Sequence, residues 1–341
     1  MENEQTDVIE HGSVSIYDIA DVAGVSPSTV SRALNDRDRI GKATQQRIRN
    51  IATRLGYQPS SVARSLVTNR TMTIGVVAPF LGEMFIGRII DGIEASAEVN
   101  GYQVVFSTSR YDSDRERMIA THFQRARVDA VIIVTTHQQQ TYENFSRSLS
   151  VPIVIIGQQG KSDAPVVAMD DASAIRQGVE YLHSSGHRRF AFVGVSDRPA
   201  SNSVRQNAFA EAFSDIVSDG EVFFDIRRET QDLERGEKSL PDLIDRGVTA
   251  VQCYNDLVAM GLLNAALRNG YRVPDDLSII GFDDLDIVSS LVVPLTTIHQ
   301  PRQDLGRHAV EMVLQMIEGK AVRPVVLSGV LMVRDSTGFA P

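Results

Sequence analysis

The chain has 341 residues, 43% of them hydrophobic and 23% charged, with a formal net charge of −9 and one cysteine, Cys253. This length predicts two or three domains, and the composition is that of a globular protein without an apolar run near the ~18 residues of a membrane span. The first twelve residues lack the basic and apolar segments of a signal peptide, and one cysteine makes neither an internal disulfide nor a cysteine-rich metal site, so we expect a cytoplasmic protein.

The net charge conceals an uneven distribution of charged residues along the chain. Residues 1–12 carry four acidic side chains and no basic one, whereas residues 13–70 carry nine Lys and Arg against four Asp, a net charge of +5. The remainder of the chain then has a net charge of −10. A small basic segment beside a large acidic one is expected when only the basic segment meets a polyanion.

Three short helices are predicted in this basic segment. Ser15 begins a capping-box pattern, Ser-Ile-Tyr-Asp, and Gly24 is placed to end the helix that follows. Ser26 is a suitable cap for the second helix, and Pro27 fits its first turn because the missing N–H has no helical partner there. Apolar residues at helical spacing predict a third helix over about 43–55.

The second helix would expose small polar side chains near its start and one arginine a turn later, namely Ser28, Thr29, Ser31, Arg32 and Asn35. Small side chains allow a helix to approach the major groove of DNA, and arginine can donate two hydrogen bonds to guanine. The spacing therefore predicts a helix-turn-helix DNA-binding domain. A plain three-helix bundle with polar outer faces is the alternative.

From Thr71 onward, short β-branched runs alternate with amphipathic segments. The nine runs are TIGVVAP, YQVVFST, AVIIVTT, PIVIIG, PVVAMD, RRFAFVGV, EVFFDI, AVQCYN and LSIIGFDD, and the helical segments include Phe85–Asn100, Ala172–Ser185, Asn202–Ser214 and Leu257–Asn269. Such alternation predicts doubly wound parallel sheets, and nine strands in about 270 residues favour two subdomains with a ligand cleft between them.

Motifs for enzymatic chemistry are absent: the chain contains no GxGxxG after a strand, no GxxxxGK[ST] and no GxSxG. His183 and His187 stand four residues apart, as metal ligands can, but no HExxH surrounds them and no third ligand is evident. We therefore expect neither an enzyme nor a bound metal, and no cofactor.

The stretches IYDIADVAGVSPSTVSRALN and TRLGYQPSSVARSL closely resemble the LacI/GalR family of bacterial repressors. The resemblance continues through VAMDDASAIRQGVEYLHSSGHRRFAFVG, CYNDLVAMGLLNAALRNGYRVPDDLSIIGFDD and PLTTIHQP, almost to the C-terminus. It implies an all-α helix-turn-helix head and an α/β body of two doubly wound, periplasmic-binding-protein-type subdomains. The implied DNA-binding residues are Ser26, Pro27, Ser28, Thr29, Arg32, Asn35, Ala63 and Leu66.

Within this set, the resemblance places Pro27, Ser28 and Arg32 at base-reading positions. Pro27 lacks a side-chain donor, so it can offer only an apolar contact, for example to a thymine methyl group. The segment Ser60–Val67 resembles the family's hinge helix, which is ordered when two copies pair in the minor groove. Ala63 would allow the two copies to approach, and Leu66 would be the wedge between base pairs. A linker helix with a buried leucine is the alternative.

The resemblance also implies effector-binding residues in the body: Phe85, Arg205, Asn255, Asp283 and Gln300. Glu83, at a departure from many relatives, is expected to point into the same cleft. Planar amide and guanidinium groups with carboxylates suit a hydroxyl-rich ligand, and Arg198 and Arg205 would suit a phosphate or carboxylate. Purely structural roles are the alternatives to ligand binding: an Arg205–Asp283 ion pair, Asn255 as a helix cap, and Phe85 as a core residue. The chain departs from many relatives at Glu83–Ile86, and between Phe213 and Ala250 it is shorter, so contacts there are not assigned.

The expected domains are an acidic disordered leader (1–12), a helix-turn-helix domain (13–58), a hinge helix and linker (59–70), and a two-lobed effector-binding and dimerisation domain (71–341). The expected function is a transcriptional regulator, most simply a repressor, that binds a palindromic DNA operator as a homodimer under the control of a sugar or sugar phosphate. The alternatives are a protein co-repressor, a nucleoside or purine effector, and a sugar-binding transport protein. The final residues contain no heptad tail, so no tetramer of that type is expected.

The wedge assignment predicts that Leu66→Ala reduces the bending of operator DNA and leaves non-specific DNA binding nearly unchanged, because the side chain inserts into the duplex without contacting phosphates. Energy transfer between dyes at the two ends of a short duplex measures the bend. A variant that bends DNA as strongly as the parent contradicts the assignment.

Overall fold

In a computed structural model, the residues described are 14–34, 40–57, 70–134, 149–157, 164–196, 199–227 and 231–341. The chain forms two compact units, Met1–Thr71 and Met72–Pro341. Across these described ranges, no helix combines the length and apolar character needed to cross a bilayer.

The described residues of the first unit form three helices, α1 (Ile16–Ala23), α2 (Pro27–Leu34) and α3 (Lys42–Arg54). Their apolar faces form one small core, which comprises Ile19, Ala20, Ala23, Val30, Ala33, Ile48, Ile51 and Ala52. The three helices and their inward faces agree with the predicted pattern.

Local capping explains where α1 ends and α2 begins. The Ser15 side chain accepts a hydrogen bond from the backbone within the first turn of α1, and Asp18 accepts one from the Ser15 N–H, which completes the capping box. Gly24 closes α1 in the left-handed conformation (φ +63°), where a side chain would be strained. The Ser26 hydroxyl then accepts a hydrogen bond from the Thr29 N–H, and α2 starts at Pro27.

The second unit is built on two parallel sheets. The strands are β1 (Thr73–Ala78), β2 (Gln103–Thr108), β3 (Ala130–Val134), β4 (Ile153–Ile156), β5 (Val166–Asp170), β6 (Arg189–Val195), β7 (Glu221–Arg227), β8 (Ala250–Cys253), β9 (Ser278–Ile280), β10 (Thr297–His299), β11 (Val325–Ser328) and β12 (Val330–Met332). The first sheet has the order β11-β5-β4-β3-β1-β2 and the second β7-β6-β8-β9, while β10 and β12 form a separate antiparallel pair.

The helices of this unit are α4 (Met84–Val99), α5 (Ser113–Arg125), α6 (Asp171–Ser184), α7 (Pro199–Ile216), α8 (Asp232–Asp245), α9 (Asp256–Arg268) and α10 (Arg302–Ile317). We call the first sheet with α4, α5 and α10 the first lobe, and the second sheet with α6 to α9 the second lobe. The chain passes between the lobes three times: after β5, between β10 and α10, and between β11 and β12.

The predicted fold class is confirmed: a helix-turn-helix unit is followed by an α/β unit with two parallel sheets. The nine β-branched runs correspond to β1 to β9. The sequence pattern did not identify α5, α8, α10 or the strands β10 to β12. Pro241 interrupts the helical sequence pattern of α8. The strands β11 and β12 are short and every second residue is exposed, so their apolar pattern is weak.

Glycines allow two pairs of helices to pack with their backbones nearly in contact. A Cβ atom on Gly236 of α8 would lie 1.9 Å from the carbonyl oxygen of Val258, and one on Gly261 of α9 would lie 2.0 Å from that of Leu233. Gly92 of α4 and Gly306 of α10 have the same role in the first lobe. These close crossings hold the helix N-termini in place on each sheet.

This packing predicts that Gly236→Ala lowers the free energy of unfolding by about 1–3 kcal/mol, because α8 and α9 must move apart. Gly87→Ala is the matched control, since a Cβ atom on this helical glycine of α4 meets nothing within 4 Å. It should raise stability by about 0.5–1 kcal/mol through helix propensity. Urea denaturation followed by circular dichroism checks both, and equal effects of the two variants would contradict the close-packing argument.

Candidate functional site

A cavity of about 330 Å³ lies between the two lobes, at the edge where the parallel strands end and the following helices begin. Several helices start at this cavity, and residues at their starts line it: Glu83 caps α4, Asp171 and Asp232 begin α6 and α8, and Asn255 caps α9. The volume is at the lower end of the range of about 300–1,000 Å³ that is common for small-molecule sites.

The structure places all six of the effector-binding residues predicted from the sequence on the lining of this cavity: Glu83, Phe85, Arg205, Asn255, Asp283 and Gln300. They come from positions as far apart as 83 and 300 in the chain, and from both lobes. What they bind stays a prediction. Arg198, which the sequence also suggested, lies outside the described residues.

Arg205 of α7 is buried in the lining and already strongly paired. Its Nε donates to Asp171 Oδ2 at 2.9 Å and its Nη1 donates to the Tyr254 carbonyl oxygen at 2.6 Å. The guanidinium also lies 3.7 Å from the centre of the Phe282 ring. The structural ion pair considered for Arg205 therefore exists, but its partner is Asp171, one of the residues that the sequence reasoning missed.

Asp283 lies in the GFDD loop and is hydrogen-bonded to Gln300, which also lines the cavity. Its Oδ1 accepts a hydrogen bond from Gln300 Nε2 at 2.6 Å. The backbone of Asp283 has φ +122°, a conformation that side-chain-bearing residues rarely adopt and that is frequent at functional sites. This strain indicates that the surrounding structure holds the carboxyl group at a defined position.

Burial controls the protonation of Asp283 and of the neighbouring Asp256. Burial raises the pKa of Asp283 to about 8, against the lowering effect of Arg205, and the charge of Asp256 adds to the rise. Burial likewise raises the pKa of Asp256 to about 6, although hydrogen bonds from the Thr297 hydroxyl and the Leu285 N–H favour its charged form. The charge of Asp256 thus disfavours the ionisation of Asp283, and the charge of Asp284 disfavours that of Asp256.

Asn255 has two structural roles in addition to lining the cavity. Its Oδ1 accepts the Val258 N–H at 2.9 Å and so caps α9, as the helix-cap alternative proposed. Its Nδ2 donates to Asp232 Oδ2 at 2.7 Å. Arg235 Nη1 donates to the other oxygen of Asp232, which links α8 and α9 through a buried polar chain.

The first lobe contributes a largely apolar wall to the cavity. Phe80, Met84, Phe85 and Ile156 line it, and Glu83 is the charged residue on this side among those that the structure describes. Phe85 also packs against the apolar cores of both lobes. The alternative role of Phe85 as a core residue is therefore correct in part.

The cavity also contains residues that the sequence reasoning did not identify: Asp171, Ser201, Asp232 and Tyr254. The Ser201 hydroxyl and the Tyr254 hydroxyl lie 2.7 Å apart and hydrogen-bond to each other. Asp232 belongs to the segment 213–250, in which no contact could be assigned from the sequence. Position in the chain could have identified two of these residues, because Asp171 directly follows a buried strand and Asp232 is the first residue of an amphipathic helix.

The histidine pair has no metal-binding arrangement. The His187 ring is bonded within the second lobe, with Nδ1 at 2.9 Å from the Thr249 hydroxyl and Nε2 at 3.2 Å from the Gly338 carbonyl oxygen. Burial lowers the pKa of His187, which favours the neutral ring. In the part of the chain that the structure describes, no group of three His, Cys, Asp or Glu is placed to hold a metal ion.

In the first unit, the predicted DNA-facing residues that the structure describes run from Ser26, before the start of α2, to Arg32 in its last turn. Ser26, Ser28 and Arg32 are exposed, and Pro27 and Thr29 are half-buried. Arg32 Nε donates to the Ser28 carbonyl oxygen at 3.2 Å, so the guanidinium lies along the outer surface of the helix. The remaining predicted positions, Asn35, Ala63 and Leu66, and the hinge segment around them lie outside the described residues.

Two family descriptions match the chain: "Bacterial regulatory proteins, lacI family" over residues 15–60 and "Periplasmic binding protein-like domain" over residues 179–337. The HTH-type transcriptional repressor CytR of Escherichia coli (strain K12) is 30% identical over 336 residues, which cover 96% of this chain and 98% of CytR.

Among solved structures, a lac repressor dimer bound to operator and the anti-inducer ONPF superposes with a TM-score of 0.87 at 26% identity, covering 96% of this chain and 100% of the other. A complex of the transcriptional regulator CelR with cellobiose superposes with a TM-score of 0.69 at 26% identity, covering 95% and 99%.

The chain belongs to the lacI family of bacterial regulatory proteins. It combines the family's helix-turn-helix domain with a body of the periplasmic-binding-protein type, as the sequence resemblance implied. Because its relatives are transcriptional repressors, the chain is a regulator of transcription rather than an enzyme.

The buried carboxyl groups predict an unusual pH dependence. Asp283 keeps its proton up to about pH 8 in the folded chain, whereas an unfolded aspartate releases it near pH 4. Asp283 therefore adds stability that is fully present below about pH 4 and is lost as the pH rises to 8. We expect the parent to lose more stability than Asp283→Asn between pH 5 and pH 8.

Urea denaturation followed by circular dichroism at pH 5, 6, 7 and 8 measures this difference in the full chain, which contains no tryptophan. Asp245→Asn, at an exposed position of α8, is the control and should keep the parent's pH dependence. Parallel pH profiles for the parent and Asp283→Asn contradict the prediction.

Proposed function

We propose that this protein is a transcriptional repressor that binds a palindromic DNA operator as a homodimer and releases or tightens that contact when a small molecule occupies the cleft. The observation that carries the proposal is the pairing, in one chain, of an exposed helix-turn-helix surface with a cavity lined by both lobes of a ligand-binding fold. The proposed site of action is the cytoplasm, where the chromosome lies.

The proposed domain division is a leader at 1–12, a DNA-binding domain at 13–58, a hinge at 59–70 and an effector-binding and dimerisation domain at 71–341. The separation of the chain into compact units that meet near residue 71 supports this division. Within the first domain, Ser26, Pro27, Ser28, Thr29 and Arg32 are the proposed contacts, with Asn35, Ala63 and Leu66 from the segments beyond. Arg32 is proposed to read a guanine, because arginine can donate to O6 and N7 together.

A homodimer is proposed because one helix-turn-helix unit reads only half of a site, and two-fold symmetric proteins match palindromic sequences. The similarity to a lac repressor whose structure is described as a dimer bound to operator supports this step. Light scattering of the full chain is expected to give the mass of two chains, and a mass of four chains would contradict it.

The effector is proposed to be a sugar or a sugar phosphate held by Glu83, Phe85, Arg205, Asn255, Asp283 and Gln300. The complex of the related regulator CelR with cellobiose supports a carbohydrate. Two of the crossings between the lobes carry cavity residues, because Asp171 directly follows β5 and Gln300 lies between β10 and α10. A ligand bound at these residues would favour one arrangement of the lobes over another, and couplings of ~1–3 kcal/mol are typical of such linkage.

The first test is to select operators from a pool of random duplex DNA with the full-length protein, and then to titrate the selected duplex by fluorescence anisotropy. Arg32→Ala is expected to weaken binding to the selected operator by about 1–3 kcal/mol and to relax the preference at one base pair of each half-site. Recovery of palindromic sequences is the result expected of a dimer.

Arg54→Ala, which removes an exposed arginine at the end of α3, is the control for Arg32→Ala. It is expected to change affinity equally for all sequences, as the loss of a phosphate contact would. If Arg32→Ala also weakens all sequences equally, Arg32 is not a base-reading residue. If selection enriches no sequence at all, the proposed function itself fails.

A further inference from the structure

The fold creates a strong tendency for this cavity to bind anions. In parallel α/β sheets the helices that follow the strands begin at the same edge, so their N-termini converge on one cleft. Each N-terminus carries a partial positive charge and unpaired backbone N–H groups, which together attract phosphate and carboxylate ligands. Here α4, α6, α8 and α9 all begin at the cavity or directly behind it.

The chain places a carboxylate of its own at each of these four N-termini. Glu83 occupies the cap position of α4, and Asp171, Asp232 and Asp256 are the first residues of α6, α8 and α9. The three aspartates are at most 7% exposed. At these four N-termini, the positions at which the fold would hold an anionic ligand are therefore occupied by side chains.

The three aspartates are held by specific hydrogen-bond partners. Arg205 donates to Asp171, Arg235 and Asn255 donate to Asp232, and the Leu285 N–H donates to Asp256. A ligand phosphate that took the position of one of these carboxylates would separate the carboxylate from its hydrogen-bond donors. A buried charged group that loses its partner in this way costs several kcal/mol.

Among the lining residues that the structure describes, Arg205 is the basic one, and its guanidinium group is already engaged. Glu83, Asp171 and Asp232 are acidic, whereas burial raises the pKa of Asp283 to about 8 and so keeps its carboxyl group neutral at lower pH. Two of the three nitrogens of the Arg205 guanidinium group donate to Asp171 and to the Tyr254 carbonyl oxygen. A phosphorylated ligand would meet an excess of negative charge in a partly buried site.

The two walls of the cavity differ in chemistry, and this difference defines the rest of the ligand. The second lobe presents carboxylate oxygens, which accept hydrogen bonds from hydroxyl or amino groups. The first lobe presents Phe80, Met84, Phe85 and Ile156, which suit a flat or apolar face.

We propose that the effector is an unphosphorylated, hydroxylated molecule with one apolar face, such as an unmodified sugar, an aryl glycoside or a nucleoside, and that the carboxylates at the helix N-termini exclude its phosphorylated counterparts. The inference rests on the proposed function, because it takes this cavity to be the effector site. It narrows the proposed class of effector from a sugar or sugar phosphate to an unphosphorylated molecule.

The test uses matched pairs of ligands with the full-length protein in isothermal titration calorimetry at constant ionic strength. The pairs are glucose and glucose 6-phosphate, ribose and ribose 5-phosphate, cytidine and cytidine monophosphate, and adenosine and adenosine monophosphate, with phenyl β-glucoside as a further neutral probe. We expect binding to occur among the neutral members, with the phosphorylated partner at least about tenfold weaker. Inorganic phosphate is expected not to compete with the neutral ligand.

A matched pair of variants tests the physical cause. Glu83→Gln removes one negative charge at the cavity with little change in shape, and Glu98→Gln makes the same change at an exposed position in the last turn of the same helix, α4. Glu83→Gln is expected to narrow the gap in affinity between neutral and phosphorylated ligands by about threefold to tenfold, whereas Glu98→Gln leaves the gap unchanged.

A phosphorylated ligand that binds as tightly as its neutral partner, or more tightly, overturns this inference and leaves the proposed repressor intact. An unchanged gap in Glu83→Gln also overturns the electrostatic explanation at that helix. If no member of the panel binds, the cavity is not a small-molecule effector site of this class, and both this inference and the effector part of the proposed function fail. Operator selection is independent of either result.

Discussion

The convergence of helix N-termini on one cleft is the constraint on which the rest of this structure depends. Parallel strands in two sheets require their helices to begin at a common edge, and that edge concentrates positive potential and unpaired N–H groups. The chain compensates with a carboxylate at the start of each of four helices. The shape of the cavity therefore comes from the fold, and its charge comes from the carboxylates at the helix starts.

Buried polar bonds connect the carboxylates to the packing of the lobes. The chain of contacts from Arg235 through Asp232 to Asn255 joins α8 to α9, which also meet at Gly236 and Gly261. A buried charge is costly unless it is paired, so each carboxylate defines where its neighbour must lie. The same bonds that hold the helices together thus hold the lining of the cavity in position before any ligand arrives.

The segments that connect the two lobes also contribute residues to the cavity. Asp171 follows β5 at the first crossing, and Gln300, which donates to Asp283, lies at the second. The strained backbone of Asp283 is held beside that second crossing by a hydrogen bond from its N–H to the Ile298 carbonyl oxygen. Because residues at the crossings also line the cavity, a ligand that bonds to them acts on the segments about which the lobes would move.

Much of this architecture could be predicted from the sequence because it depends on local patterns. The capping box at Ser15, the glycine at Gly24 and the proline at Pro27 locate the first two helices, since each acts through the backbone of a few neighbouring residues. Nine strands are visible as β-branched or aromatic runs. Seven of them are buried, because strands covered on both faces are apolar throughout, whereas β2 and β7 are longer edge strands that are partly exposed. The short edge strands β11 and β12, with their half-exposed faces, lack that signal.

Sequence analysis also identified six residues that line the cavity, five through the resemblance and Glu83 as a departure from many relatives. Their partners were decided only by tertiary structure: Arg205 is bound to Asp171 rather than to Asp283, and Asp232 enters the site from a segment in which no contact could be assigned. A sequence shows which side chains carry charge, but burial and pairing depend on helices brought together from distant parts of the chain. The local sequence thus determined the elements and the chemistry available to them, and the packing of the two lobes decided which charges meet and what net charge faces a ligand.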